Sequence, residues 1–216
     1  MLCPAKNRFT ADDVLNHKWL KYLSSDTKKD DIILNLDFDI LKRYTETEKF
    51  KKAVLTFIAS RIKDEEIQHL KEIFIALDLN NDGYLTIEEL KIGCSKIKDL
   101  ELDTEKIFES VDTDKSGMIN YTEFLAATLD KQIYLKEERL FEAFRCFDQD
   151  KSGKISIEEI TNIIRTNDDD DIDVLQEEIK SFDLNGDGEI DYSEFCNMMG
   201  KKFVKRKSLK IEKILK

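Results

Sequence analysis

The feature that most restricts this 216-residue chain is a twelve-residue segment that returns four times, at 78–89, 112–123, 148–159 and 183–194. The opening residues Asp78, Asp112, Asp148 and Asp183 are spaced 34, 36 and 35 residues apart. Each copy starts with Asp, has Gly at its sixth position and closes with Glu. A repeat of this period is one supersecondary unit used four times, so the fold must be assembled from four like units. Five of the seven glycines lie in the four segments, and proline occurs only at Pro4. Glycine is thus spent on turns, and the flanks are left free of helix breakers.

Those flanks carry apolar residues at helical spacing. Phe74 and Leu77 precede the first segment, Phe108 and Val111 the second, Phe144 and Phe147 the third, Ile179 and Phe182 the fourth. Leu90, Phe124, Ile160 and Phe195 follow directly. Between the helices, oxygen donors stand at alternate positions. Calcium takes six to eight oxygens in a flexible shell, and a twelve-residue loop supplies them from positions 1, 3, 5, 7 and 9 and a bidentate Glu at 12. That is the EF-hand pattern. The first loop offers Asp78, Asn80, Asp82, the carbonyl of Tyr84, Thr86 and Glu89. The second offers Asp112, Asp114, Ser116, the carbonyl of Met118, Asn120 and Glu123. The third offers Asp148, Asp150, Ser152, the carbonyl of Lys154, Ser156 and Glu159. The fourth offers Asp183, Asn185, Asp187, the carbonyl of Glu189, Asp191 and Glu194.

Four calcium sites are therefore expected, with magnesium as a competitor. Position eight is Leu85, Ile119, Ile155 and Ile190, which predicts short strand pairing between loops one and two and between three and four. The carboxylate count is three in each of the first three loops and four in the last, where Asp191 is added; on that count the fourth site is expected to be the tightest or the most magnesium-tolerant. The fold class expected is all-α: four EF-hands in two paired lobes, preceded by a long amphipathic junction helix.

Charge is segregated. Residues 1–62 hold 12 basic and 9 acidic groups, 63–200 hold 15 and 36, and 201–216 hold 8 and 1. The acidic centre would repel a phosphate backbone, so nucleic acid is excluded as its partner, and cations or basic peptides suit it. The run Asp168–Asp171 reads as a solvated linker, because consecutive carboxylates repel and no turn glycine follows. No apolar run is long enough to cross a bilayer. The start, Met1-Leu2-Cys3-Pro4, shows neither a secretory signal nor a myristoylation glycine. Cys3, Cys94, Cys146 and Cys196 stand singly, and reduced thiols are expected.

Ahead of the repeat, 36–62 contains no Gly or Pro. Phe50, Val54, Phe57, Ile58 and Ile62 fall on one helical face, with Lys49, Lys51 and Lys52 clustered near its start. Anchors at i, i+4, i+7 and i+8 suit an apolar groove of the kind that sensor EF-hands open. Phe50, Val54, Phe57 and Ile58 are the anchors expected, and ordinary core packing is the alternative for this helix.

The first twenty residues do not belong to an EF-hand module. Asn7-Arg8-Phe9-Thr10-Ala11 and Val14-Leu15-Asn16-His17-Lys18-Trp19-Leu20 look like the last helical region of a protein kinase domain. With Phe50-Lys51-Lys52-Ala53-Val54-Leu55-Thr56-Phe57-Ile58-Ala59 and Asp64-Glu65-Glu66-Ile67, the whole chain resembles the C-terminal regulatory, calmodulin-like region of a calcium-dependent protein kinase of the plant and protist (apicomplexan-like) type. The resemblance implies a remnant of the kinase domain at 1–22, where Arg8 would pair with a glutamate of the catalytic lobe and His17 and Trp19 would be structural. A linker and autoinhibitory junction helix would follow at 23–62, then EF-hand lobes at 63–129 and 130–200 and a basic tail at 201–216.

The chain has no Gly-rich nucleotide loop, no His-Arg-Asp and no Asp-Phe-Gly. Catalytic residues are thus expected to be absent here, with ATP and Mg²⁺ held only in the parent's kinase lobe. The resemblance implies a serine/threonine kinase whose calcium-loaded hands take up the junction helix and end autoinhibition. Its partners would be its own kinase domain and that helix. A cut chain could also exchange the helix with a second copy, giving a dimer. A stand-alone calmodulin-like adaptor and a calcium buffer remain competing readings. The expected location is the cytoplasm; contact of the basic tail with acidic lobes or an acidic lipid surface is left open.

Overall fold

The computed structural model describes residues 32–95, 103–164 and 169–201, with side chains from 172 onward in the last stretch. The kinase-like elements at 1–22, residues 23–31, Asp168 and the tail from 202 lie outside the described residues, and the expectations placed on them with it.

The architecture is mostly helical. Helices α1 (Phe38–Thr45) and α2 (Lys49–Ala59) come first, then a 3₁₀ turn at Asp64–Glu66. The first hand is α3 (Gln68–Leu77), β1 (Tyr84–Leu85) and α4 (Ile87–Ser95). The second is α5 (Thr104–Val111), β2 (Ile119–Asn120) and α6 (Tyr121–Thr128), followed by a single turn, α7 (Lys131–Tyr134). The third is α8 (Glu137–Phe147), β3 (Lys154–Ile155) and α9 (Ile157–Ile164); the fourth is α10 (Asp169–Phe182), β4 (Ile190–Asp191) and α11 (Tyr192–Met199). Among the described residues, no helix is long and apolar enough to cross a membrane.

The loops pair as position eight predicts. Leu85 stands opposite Ile119 in an antiparallel ladder, and Ile155 opposite Ile190 in another. All four residues are buried. Each ladder therefore ties the centres of two loops and also plugs the core beneath them.

The chain divides into two compact units, one of residues up to Lys42 and 63–124, the other of 43–62 and 125 onward. In the first, Phe74 packs edge-on against Tyr121 and Phe124, with ring centroids 5.2 and 5.4 Å away. Leu77, Leu90, Ile107 and Val111 close the core around them. In the second, Phe144, Tyr192 and Phe195 form an aromatic cluster, with Phe144 5.2 Å from Tyr192 and 5.5 Å from Phe195. Leu140, Ile160, Leu175, Ile179 and Met199 complete it.

The junction stretch 36–62 is two helices joined by a turn. Thr47 donates its hydroxyl to the Arg43 carbonyl, and the Glu46 and Thr47 amides reach back to Arg43 and Tyr44, which tightens the end of α1. Glu48 is extended (φ −64°, ψ 152°) and starts α2 afresh. Helix α10 begins inside the acidic run, at Asp169. The stretch expected as a linker is thus helical from Asp169.

Candidate metal centres

All four loops turn left-handed at the same two positions. The fourth position is left-handed in each: Asn81 (φ 59°), Lys115 (55°), Lys151 (62°) and Gly186 (77°). The sixth is more strongly so, at Gly83 (88°), Gly117 (80°), Gly153 (85°) and Gly188 (84°). A side chain at the sixth position would be strained at these angles, which explains the glycine.

The closing glutamate holds both ends of its loop. Oε1 of Glu89 accepts the amides of Leu79 (2.9 Å) and Asn80 (3.3 Å), while Oε2 accepts that of Thr86 (2.9 Å). Glu123 does the same with Thr113 (2.9 Å), Asp114 (3.3 Å) and Asn120 (3.0 Å). Glu159 takes Gln149 (2.7 Å), Asp150 (3.2 Å) and Ser156 (2.9 Å). Glu194 takes Leu184 (2.9 Å), Asn185 (3.1 Å) and Asp191 (2.9 Å). Returning bonds, Glu123 amide to Asn120 (3.0 Å) and Glu194 amide to Asp191 (2.9 Å), make capping boxes for α6 and α11. Positions nine and twelve thus have a structural task, starting the exiting helix, besides any metal they hold.

The opening aspartate organises the other side. Asp78 accepts the amides of Asp82 (3.2 Å) and Gly83 (3.0 Å), and Asp112 those of Ser116 (3.0 Å) and Gly117 (2.8 Å). Asp148 accepts Gly153 (3.1 Å), and Asp183 accepts Gly186 (2.7 Å), Asp187 (3.3 Å) and Gly188 (2.7 Å). Asp78, Asp112, Asp148 and all four closing glutamates are buried, whereas Asp183 is half-buried.

Carboxylates converge in the middle loops. Oxygens of Asp112, Asp114 and Glu123 lie within 4.8 Å of one another, as do those of Asp148, Asp150 and Glu159. The first and fourth loops have Asn80 and Asn185 at the third position, so an amide oxygen stands where the others have a carboxylate. Ser116 and Ser152 donate their hydroxyls to the position-seven carbonyls of Met118 (2.8 Å) and Lys154 (3.2 Å). Tyr84 and Met118 keep their side chains partly in solvent, and Lys154 and Glu189 are half-buried; in each loop it is the backbone oxygen that the pattern uses.

This donor set fits a hard divalent cation: oxygens alone, several of them charged and partly desolvated. Burial pushes the Asp148 carboxyl up, and the Glu159 charge adds to this, against the Gly153 amide. Burial would raise Glu89 also, but hydrogen bonds from Thr86, Leu79 and Asn80 hold it below the ordinary range. Hydrogen bonds from Ser116 and Ser152 hold Asp114 and Asp150 low.

One ligand position has a resident cation. Lys154, on the third loop, places its ammonium 2.7 Å from Asp187 and 3.4 Å from Glu189 of the fourth. The Lys154 contact holds the Asp187 carboxyl below the ordinary range. Sequence spacing offers no sign of this pair, because it depends on the β3–β4 ladder.

The junction-helix anchors lie in the second unit. Helix α2 packs on α8 and α10. Phe50 is fully buried, edge-on to Phe147 (5.4 Å) and 6.3 Å from Phe195. Val54 and Ile58 are buried too, and so are Leu55 and Ala59, which the anchor spacing did not single out. Phe57 is half-buried, with the Arg61 guanidinium 5.1 Å from its ring centre. At about 100° per residue, Val54, Ile58, Leu55 and Ala59 lie progressively round the helix from Phe50, whereas Phe57 falls about 20° to the other side. The buried stripe is therefore centred near Ile58, and Phe57 sits on its margin.

A family model described as the EF-hand domain pair matches residues 67–129 and 137–200. Calcium-dependent protein kinase 22 of Arabidopsis thaliana is 37% identical over 196 residues, which cover 90% of this chain and 39% of that protein. Calcium-dependent protein kinase 2 of Zea mays is 37% identical over 198 residues, covering 90% and 38%. Calcium-dependent protein kinase 34 of Arabidopsis thaliana is 39% identical over 199 residues, covering 91% and 38%. The chain spans about two-fifths of the length of these relatives. With two matched pairs and four loops that turn left-handed at the same two positions, the chain belongs to the family of EF-hand domain pairs, in a form homologous to part of the calcium-dependent protein kinases.

Proposed function

We propose that this chain is the calcium-sensing regulatory region of a calcium-dependent serine/threonine protein kinase, and that its hands relieve autoinhibition by taking up the junction helix. The observation that carries this reading is the seat of α2: Phe50, Val54, Leu55 and Ile58 are buried in the second unit, with the Phe50 ring against Phe147 and Phe195. A stand-alone adaptor would need that face for other proteins, and here a segment of the same chain covers it.

Calcium, when bound, supplies two positive charges to each ring of acceptor oxygens. Asp78, Asn80, Asp82, the Tyr84 carbonyl, Thr86 and Glu89 would hold it in the first loop, and the matching positions in the other three. Each closing glutamate bonds the loop's first amides and also starts the exiting helix. Movement of that carboxylate therefore carries the exiting helix with it, and helix pairs repack around their core. The α8–α10 face then favours α2 over the kinase lobe, which in the parent would hold ATP and Mg²⁺.

The energetics suffice. Driving a switch from 1:99 to 99:1 takes about 5.5 kcal/mol. A site at roughly ten times its Kd contributes at most about 1.4 kcal/mol, so four sites reach about 5.7 kcal/mol where the resting state binds nothing. All four hands are needed on this account. The test is phosphotransfer by the full-length parent, with Glu89, Glu123, Glu159 and Glu194 replaced singly by Gln. Each replacement should weaken calcium activation, and a variant that activates normally removes its hand from the switch.

A further inference from the structure

Helix α2 is poorly started by its own sequence. The first amides of a helix have no partner within it, and an N-cap side chain or an acidic first turn normally compensates. Glu48, at the cap position, makes no side-chain capping bond, and the first turn contains no acidic residue. It contains Lys49, Lys51 and Lys52, cations at the end of the dipole that disfavours them. The missing cap comes from elsewhere in the second unit. Glu178, on α10, accepts the Lys49 amide through Oε1 (2.8 Å) and the Phe50 amide through Oε2 (2.9 Å). Both bonds are charge-assisted and together form a fork. The Glu178 charge also favours the charged form of Lys52, whose pKa burial pushes down.

We propose that Glu178 is the positioning residue of this groove: it caps the helix that lies on α8 and α10, and so fixes the direction and register in which that helix docks. Direction follows from charge. A helix laid in reverse would bring carbonyls to the carboxylate, and like partial charges would repel. Register follows from Phe50, whose amide is held by Glu178 while its ring is held by Phe147 and Phe195. A residue gripped at both ends cannot slip by a turn. The groove then suits a helix with no cap of its own, an aromatic residue at its second position and a basic residue at its fourth. This inference rests on the reading of α2 as the captured helix.

The experiment is amide hydrogen exchange on the full chain in calcium. Glu178→Ala should speed exchange of the Ala53–Ala59 amides about tenfold, the size of a lost helix cap, while α8 amides keep their protection. Glu178→Gln, which keeps an acceptor but not the charge, should fall between. Glu177→Ala removes a neighbouring exposed carboxylate, 2.7 Å from Lys180, and should change nothing. The deciding variant is Glu178→Ala combined with Glu48→Asp, which gives α2 a local cap and should restore its protection. If α2 is protected in the unaltered chain and Glu178→Ala leaves it so, the capping role is overturned and the capture reading stands. If Glu48→Asp fails to rescue, Glu178 acts on α10 alone and the proposal falls. If α2 is unprotected in the unaltered chain, the capture reading falls with it.

Discussion

The ring of Phe50 meets the ring of Phe147 edge-on, with centroids 5.4 Å apart and planes at 75°. This contact joins a helix outside the four hands to the last turn before the third calcium loop. Phe→Ala at a fully buried site costs about 3–5 kcal/mol. In Phe50→Ala the loss falls first on the docking of α2, because the core of the hands keeps its own aromatic cluster. The variant should bind more of an apolar dye in calcium and be cut by trypsin at Lys49–Lys52, with α8–α11 left intact. Unchanged dye binding would show that α2 does not cover an apolar face.

Lys154 and Asp187 define a second test. The fourth loop has four carboxylates at ligand positions, a count that would make it the tightest site. The Lys154 ammonium, 2.7 Å from Asp187, offsets one of them. Replacing it by Gln should tighten the fourth site about two- to fivefold at low salt and by less in 0.5 M salt, since exposed charges are screened. Calcium titration followed at the Gly188 amide, with Gly117 as the reference, reads this directly. Equal affinities in the two proteins would mean that the lysine leaves Asp187 without cost.

Gly93 tests the packing of the first pair. It lies buried in α4, and a Cβ there would overlap the side chain of Leu77 on α3, itself almost wholly buried. Ala is the better helix former by about 0.5–1 kcal/mol, but an extra methyl in a filled core costs about 1–3 kcal/mol. Gly93→Ala should therefore destabilise, by about 1 kcal/mol, in urea denaturation. A more stable variant would show that Leu77 has room to turn away.

The thiols separate by environment. Cys146 is exposed, Cys94 half-buried and Cys196 buried. Burial pushes the Cys94 thiol up, partly opposed by Thr104. Iodoacetamide at pH 7.5 should modify Cys146 well before Cys94 or Cys196, as read by peptide mass spectrometry. The linkage has a definite sign: a thiol whose pKa is raised by folding contributes fully below its unfolded value of about 8.5 and loses that contribution as pH rises. Unfolding midpoints should thus fall above pH 8.5, and less so in Cys94→Ser.

The hands were legible because their constraints are local. A glycine at the sixth position and a glutamate at the twelfth mark a turn that few other sequences make. The same two positions prove to set the left-handed angle and the loop-closing bonds in all four copies. The strand pairing was legible for the same reason, since Leu85, Ile119, Ile155 and Ile190 occupy one position of the repeat. What escaped depends on partners far along the chain. Glu178 sits among Gln176, Glu177 and Lys180, a sequence indistinguishable from a solvated face; the amides it caps are 128 and 129 residues away. Leu55, buried where Phe57 is only half-buried, escapes for a similar reason. Spacing counted from Phe50 assumes that Phe50 is central, and the groove is centred near Ile58 instead.

The two-residue ladders bear on how such a chain can change over generations. Leu85 needs Ile119, and Ile155 needs Ile190. Deleting one hand would strand the other's backbone amides and carbonyls at an open edge, inviting pairing with a foreign chain. Each hand is therefore fully paired only beside its mate. A loop can lose its metal by a substitution that spares its closing glutamate, but the loop itself can be removed only together with its mate.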